Sequence, residues 1–196
     1  MEIEEMTSHA QAINILKPYL ESGDKLLDVG CGSGYFYHSI KSRNIPVEYY
    51  GIDATSLLID IGRKILPQYG LSEDNLQVIR IEDMDADVDH IVCLNVLSNI
   101  DNYHRPLERI LKSARKTVLL RESVGPITEY KYVIDNYLDK ELKVHVNTYS
   151  MHDLKSFIES YGYSVSFVED IYTKGQPQLV IDHLHYWQFI VAIKIK

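Results

Sequence analysis

The chain has 196 residues, 45% of them hydrophobic, with 20 basic and 28 acidic side chains and a net charge of −8. That length suits one domain with a substantial core, while the acidic balance argues against a nucleic-acid backbone or an anionic membrane surface as partner. No apolar run approaches the ~20 residues of a membrane span.

The opening MEIEEMTSHAQ is acidic and polar, unlike a signal or transit peptide. The two cysteines, Cys31 and Cys93, stand where a disulfide would distort the predicted fold. A reducing, cytoplasmic location is the expectation.

Residues 7–22 read as a leading helix with Ile13, Leu16 and Leu20 on one face. A strand over 25–29 is followed by a helix over 33–43, a strand over 48–52 and a helix over 56–66 that stops before Pro67. Strands over 76–81 and 89–94 come next, then a helix over 106–114 with Pro106 in its first turn, and a strand over 117–121. Such alternation predicts an α/β, doubly wound, mostly parallel seven-stranded sheet with helices on both faces. Residues 126–142 are expected to form a helix and loop. A helix opens at Ser150, with Asp153 three residues on, and closes near Gly162. Strands over 164–169 and 186–195 are joined by a loop without helical period, so an antiparallel pair at the sheet edge is expected. No repeat or linker divides the chain, which reads as a single domain over 1–196.

The chemistry concentrates at the end of the first strand. Residues 26–36 read LLDVGCGSGYF, an apolar strand breaking into a glycine turn. Gly30, Gly32 and Gly34 remove the Cβ atoms that would hold a ligand away from the backbone. The second strand runs into Asp53, nineteen residues past Gly34, and its carboxylate offers two acceptors to the hydroxyls of a ribose. Dinucleotide sites prefer G-x-G-x-x-G beneath a pyrophosphate. Here the spacing is G-x-G-x-G, and Asp28 two residues earlier would repel a pyrophosphate yet suit a cationic aminoacyl end.

The stretch D-V-G-C-G-S-G-Y closely resembles motif I of the class I S-adenosylmethionine-dependent methyltransferases, and the resemblance runs over roughly residues 25–196. It implies a reversed final strand, S-adenosyl-L-methionine as cofactor, and small-molecule methylation. It places the cofactor against Asp28, Gly30, Cys31, Gly32, Gly34, Tyr35, Asp53, Ala54, Asp83, Met84, Asn95 and Val96, with Asp83 taking the adenine amino group. Many small-molecule members carry a His near the position of Asn99, so no general base carries over from the family. The aromatic-flanked Asn/Asp-Pro-Pro segment that marks nucleic-acid amino-methylating members is missing after the fourth strand.

In open α/β sheets the ligand lies beyond the carboxyl ends of the strands. That rim holds Asn95 to Asn99, Arg121, Glu122 and the loop over 172–185, so residues 123–163 and 170–185 are the expected acceptor-side elements. Asn99, Arg121, Asn147, Tyr149 and His183 are candidate substrate contacts; His183, His185 and Tyr149 are candidate catalytic groups. Arg121 either pairs with Glu122 or anchors an anionic substrate group. His183 and His185 alternate and resemble metal ligands, but no third ligand is tied to them and no metal is expected. Tyr35 offers a ring face to a sulfonium or packs within its helix; Cys31 reads as a small turn residue. His145 and His152 flank the segment leading into the Ser150 helix. His9 either closes over the cofactor or lies on a helix surface, and His90, at the start of a strand, gets no role.

The expected activity is methyl transfer to an oxygen or nitrogen of a small polar acceptor such as a sugar, an amino alcohol or another metabolite, with oligomeric state left open. Two alternatives stand beside it: a non-catalytic module that binds S-adenosylmethionine, and an NAD-dependent oxidoreductase, which Asp28 and the glycine spacing disfavour.

Overall fold

The computed structural model describes residues 4–135 and 142–195. In chain order the elements are α1 (Thr7–Leu16), β1 (Lys25–Val29), α2 (Phe36–Ser42), β2 (Glu48–Asp53), α3 (Ser56–Ile65), β3 (Leu76–Val78), β4 (Val88–Leu94), α4 (His104–Ser113) and β5 (Ala114–Gly125). There follow β6 (Tyr132–Ile134), β7 (Lys143–His145), β8 (Tyr149–Ser150), α5 (Met151–Glu159), β9 (Tyr163–Glu169), β10 (Gln178–Val180), β11 (His183–His185) and β12 (Trp187–Lys194). The main sheet has the order β3-β2-β1-β4-β5-β12-β9. β1 to β5 are parallel, and β12 runs antiparallel between β5 and β9.

Period-two alternation makes two cores from one sheet. On one face Leu26, Tyr49, Val92, Leu119 and Phe189 pack with Ile13 and Leu16 of α1, Phe36 and Ile40 of α2 and Ile59 of α3. On the other, Leu27, Val29, Ile91, Cys93, Leu120 and Ile190 pack with Leu107, Ile110 and Leu111 of α4 and Leu154 and Ile158 of α5. Among the described residues no helix is long and apolar enough to cross a membrane.

The cap of the last third differs from expectation. Part of the segment read as helix and loop is strand, because β6 pairs antiparallel with β7; residues 136–141 of that reading lie outside the described residues. The loop over 172–185 holds a hairpin, β10 with β11. Its two-residue turn is Ile181-Asp182, both left-handed with φ of 46° and 58°, the geometry whose twist matches a hairpin. No Asn-Gly or Asp-Gly announced it. The leading helix ends at Leu16 and tightens into a 3-10 turn over Lys17–Tyr19, with Pro18 in it. The Ser150 start is as expected: its hydroxyl accepts from the Asp153 N–H at 3.2 Å.

α3 is held against the glycine turn by the absence of one side chain. A Cβ at Gly62 would lie 2.6 Å from the Ser33 carbonyl oxygen, a backbone atom that cannot step aside alone. Alanine gains about 1 kcal/mol of helix propensity, whereas overpacking costs about 1–3 kcal/mol. Gly62→Ala is therefore expected to lower the melting temperature in thermal denaturation; a rise would show that α3 moves freely over the turn.

Candidate functional site

The glycine turn is fastened to the end of β2 by backbone and carboxylate together. Gly30 and Cys31 both donate to the Ile52 carbonyl, at 2.8 and 3.0 Å. The Asp53 carboxylate accepts from Gly32 N–H at 2.9 Å and from Thr55 N–H at 2.8 Å. Gly30 has a φ of 74°, and a Cβ there would lie 2.3 Å from Val96 Cγ2. Glycine thus allows both the left-handed turn and the close approach of β4's end.

Beside this junction is a cleft of about 270 Å³ lined by Gly30, Asp53, Ala54, Ile79, Arg80, Ile81, Glu82, Val96 and Ile100. Four of the expected cofactor residues, Gly30, Asp53, Ala54 and Val96, line it. Asp83 and Met84 do not. β3 stops at Val78 and the chain enters a 3-10 turn over Ile81–Asp83. Three residues per turn bring Ile81 and Met84 inward together, Met84 to 2% exposure, and leave Asp83 in solvent. Glu82 faces the cleft instead. The signal was in the sequence: two apolar residues three apart.

Asp28 is buried beneath the turn, and its carboxylate accepts from the Tyr49 hydroxyl at 2.7 Å. Burial, with Asp53 nearby adding to it and the Tyr49 bond opposing, pushes the group up to about 7. Burial likewise pushes the Cys31 thiol up, leaving it protonated and unreactive. The Tyr35 hydroxyl donates to the Glu4 carbonyl, and its ring lies 5.9 Å from that of His9 and 5.3 Å from that of His38. His9 thus points inward from α1 onto Tyr35 and Phe36, and burial pushes it down to about 4. Gln11 on the same helix accepts from Ile171 N–H and donates to the Glu169 carbonyl, tying α1 across the rim.

At the ends of β4 and β5, the expected Arg121–Glu122 ion pair is not formed. Neighbours in a strand point to opposite faces, which excludes it. Arg121 pairs instead with Asp170, Nε to Oδ2 at 2.6 Å, with both side chains buried. It also donates to the Asn95 side-chain oxygen and lies 4.7 Å over the Trp187 ring. So engaged, it is not an anchor for a substrate anion. Glu122 accepts from the N–H groups of Val96, Leu97 and Ser98 and from the Ser98 hydroxyl, at 2.7–3.1 Å, and burial pushes its carboxyl upward. These bonds fix the turn that carries Asn95, itself left-handed with a φ of 61°. Asn99 donates to the Asn95 carbonyl at 2.7 Å.

Asn147 and Tyr149 are corrected too. Both have no exposed surface: Asn147 bridges Ile100 and Lys131, and Tyr149 donates to the Leu97 carbonyl. They fasten the cap rather than border an open pocket. His183 does border one, a cavity of about 460 Å³ lined by Gly125, Pro126, Ile127, Glu129, Lys131, Thr148, Asp182, Leu184 and Tyr186 as well. Its Nδ1 lies 2.9 Å from Lys131 Nζ and its Nε2 3.2 Å from Thr148 Oγ1. The ammonium donates to Nδ1, so the ring proton sits on Nε2. His185 is buried flat against Trp187, ring centres 4.7 Å apart, and neither of its nitrogens has a hydrogen-bond partner. Burial, reinforced by His183, pushes it down to about 4. His145 stacks on Tyr132. His90 is buried against Asp24 at the start of β4, 2.8 Å away and far from the rim. Among the described residues no three His, Cys, Asp or Glu side chains converge as metal ligands.

Comparison with known proteins agrees with this geometry. Residues 27–119, from β1 into β5, match the family described as "Methyltransferase domain". No curated protein sequence matches the chain. Among solved structures, the magnesium protoporphyrin IX methyltransferase of Synechocystis with bound S-adenosylhomocysteine is 13% identical, with a TM-score of 0.65 over 100% of this chain and 90% of that one. Phosphoethanolamine N-methyltransferase 2 of Haemonchus contortus is 12% identical, with a TM-score of 0.69 over 95% of this chain and 52% of that one. The [4+2]-cyclase SpnF is 13% identical, with a TM-score of 0.70 over 94% of this chain and 81% of that one. At such identities the structures speak for the fold. The family match, which spans the glycine turn and its junction with β2, supports a methyltransferase domain over residues 27–119 with S-adenosylmethionine as cofactor, and the solved structures share its fold along the rest of the chain.

The rim's integrity rests on Arg121. Removing one partner of a buried ion pair strands the other charge, at about 3–5 kcal/mol. Arg121→Met is therefore expected to lower the urea midpoint by an amount equivalent to that loss; a change under about 1 kcal/mol would mean Asp170 finds another partner.

Proposed function

We propose that the protein moves a methyl group from S-adenosylmethionine to a small polar acceptor, at nitrogen in preference to oxygen. The observation that carries the small-acceptor reading is the cavity around His183. Its volume of about 460 Å³ falls in the range of small-molecule sites, and it is enclosed by segments of this chain's own cap. The similarity to methyltransferases named for a porphyrin and for phosphoethanolamine supports the same reading.

The cofactor would be held by Gly30 and Gly32 beneath it, by Asp53 at the ribose, and by Ile81, Glu82 and Val96 beside the base. Asp53 fits this part. Each of its oxygens already accepts one N–H, and a carboxylate has about four acceptor sites, so one per oxygen remains for a diol. When bound, S-adenosylmethionine supplies a methyl already activated by the positive sulfur. The protein's residues then contribute proximity and alignment, worth up to ~7–11 kcal/mol.

An oxygen acceptor would usually need a base. Lys131 occupies His183 Nδ1, burial lowers the basicity of His183 and His185, and the Tyr149 phenol is raised by burial and already bonded. None is a strong proton acceptor, which supports a neutral amine as the nucleophile.

The test is calorimetric titration with S-adenosylhomocysteine, with NAD as the competing ligand. Micromolar binding, weakened at least about tenfold, or 1.4 kcal/mol, by Asp53→Ala, is expected. Tighter binding of NAD would overturn the assignment of the cleft.

A further inference from the structure

The main sheet has two edges, and the chain treats them differently. At the β3 edge the strand is three residues long, and Arg63 donates to its Leu76 carbonyl from Nε and Nη2, at 3.1 and 2.8 Å. At the opposite edge β9 runs for seven residues, Tyr163–Glu169, and pairs only with β12. Among the described residues, its backbone otherwise meets one group, the Gln11 amide on the Glu169 carbonyl. Folded chains commonly blunt such an edge with lysine, proline or a bulge. β9 carries none of these: it reads YSVSFVE, and its pairing with β12 has no register shift.

We propose that β9 is a dimerisation edge, where a second copy of this chain adds its own β9, antiparallel, about a two-fold axis at Ser166. In the register that pairs all seven residues, Ser166 faces Ser166, and Val165 of each copy faces Phe167 of the other. Residues directly opposite share one face of the sheet. Here it is the face on which Val165 and Phe167 are half-buried, beside Phe157 of α5 and Tyr161 after it. Apolar surface that one copy leaves half-exposed is covered by the other. Charge fits as well. Among the described residues neither Glu169 nor Lys194 forms an ion pair; Lys194 donates to the Tyr161 carbonyl and lies 4.3 Å over the Tyr163 ring. The pairing sets Glu169 of each copy opposite Tyr163 of the other, on the face of the ammonium that overlies it. A foreign extended segment could use the backbone edge, but it would not supply these side chains in this order.

A two-fold axis perpendicular to the sheet presents the same patch from both copies and reverses strand direction between them. The parallel strands of the two copies therefore end on opposite sides, and the two clefts open away from each other. Each cleft is lined by one chain alone, so breaking the pair leaves it whole.

The experiment is sedimentation velocity on the full chain from about 1 µM to about 200 µM, with amide hydrogen exchange followed over the same range. The mass is expected to rise from 22.6 kDa toward twice that value, and the β9 amides to exchange more slowly as it does. Ser166→Lys, at an exposed position, sets two ammonium groups opposite each other at the axis. It should weaken association at least about tenfold while the far-ultraviolet circular dichroism stays that of the wild type. Glu169→Lys should weaken association too, and Glu169→Lys combined with Lys194→Glu should restore it. Should Ser166→Lys fail to fold, the wild-type mass and the β9 exchange still decide the matter. A mass of one chain throughout, a dimer whose β9 amides gain no protection, or a dimer indifferent to Ser166→Lys would overturn the proposal.

Discussion

The whole site hangs on one junction, where the last two residues of β2 capture the turn that follows β1. The Ile52 carbonyl takes the Gly30 and Cys31 amides and the Asp53 carboxylate takes the Gly32 amide. The turn's shape and the cleft's polar wall therefore share one cause. The side chain that offers acceptors to a ligand is the one that holds the backbone beneath it. Parallel pairing of β1 with β2 brings the two ends level, and the left-handed glycines let the chain reverse without a side chain between backbone and ligand.

A second constraint governs the acceptor side. β5 runs on to Gly125, beyond the end of β4 at Leu94, and its alternation sends Arg121 to one face and Glu122 to the other. Each buried charge is satisfied there by a different device: an ion pair with Asp170, and a collar of amides from the β4 turn. Together they hold Asn95 in a left-handed conformation and set the edge of the cleft. The cap is then built outward from β5 through Thr148 and His183, which link β8's approach to the β10–β11 hairpin.

Much of this was legible from the sequence, for identifiable reasons. Strong apolar periodicity gave the order of β1 to β5 and the reversed β12, and the spacing from Gly30 to Asp53 gave the meeting of the glycine turn with the end of β2. What escaped were features set by tertiary context. Asp83 and Met84 were displaced from the cleft by a 3-10 turn where an extended strand was expected. Asn147 and Tyr149 looked like pocket-lining polar groups, yet their hydrogen bonds are spent on Ile100, Lys131 and Leu97, partners remote in the chain. The hairpin turn at Ile181-Asp182 puts a β-branched residue at positive φ, where such residues are rare, so composition gave no warning. Arg121's partner, Asp170, is 49 residues away. The alternation rule excluded Glu122 as that partner without naming Asp170.

On the reading we propose, the cleft and the capped cavity form a methyl-transfer site for a small nucleophile with little need of a base. The most direct test is incubation of the protein with deuterated-methyl S-adenosylmethionine and a desalted cell extract divided into small-molecule and macromolecular fractions, read by mass spectrometry. The account predicts label in a low-molecular-mass amine, lost with Asp53→Ala. Label confined to protein or nucleic acid, or no transfer to either fraction while the cofactor binds, would contradict it.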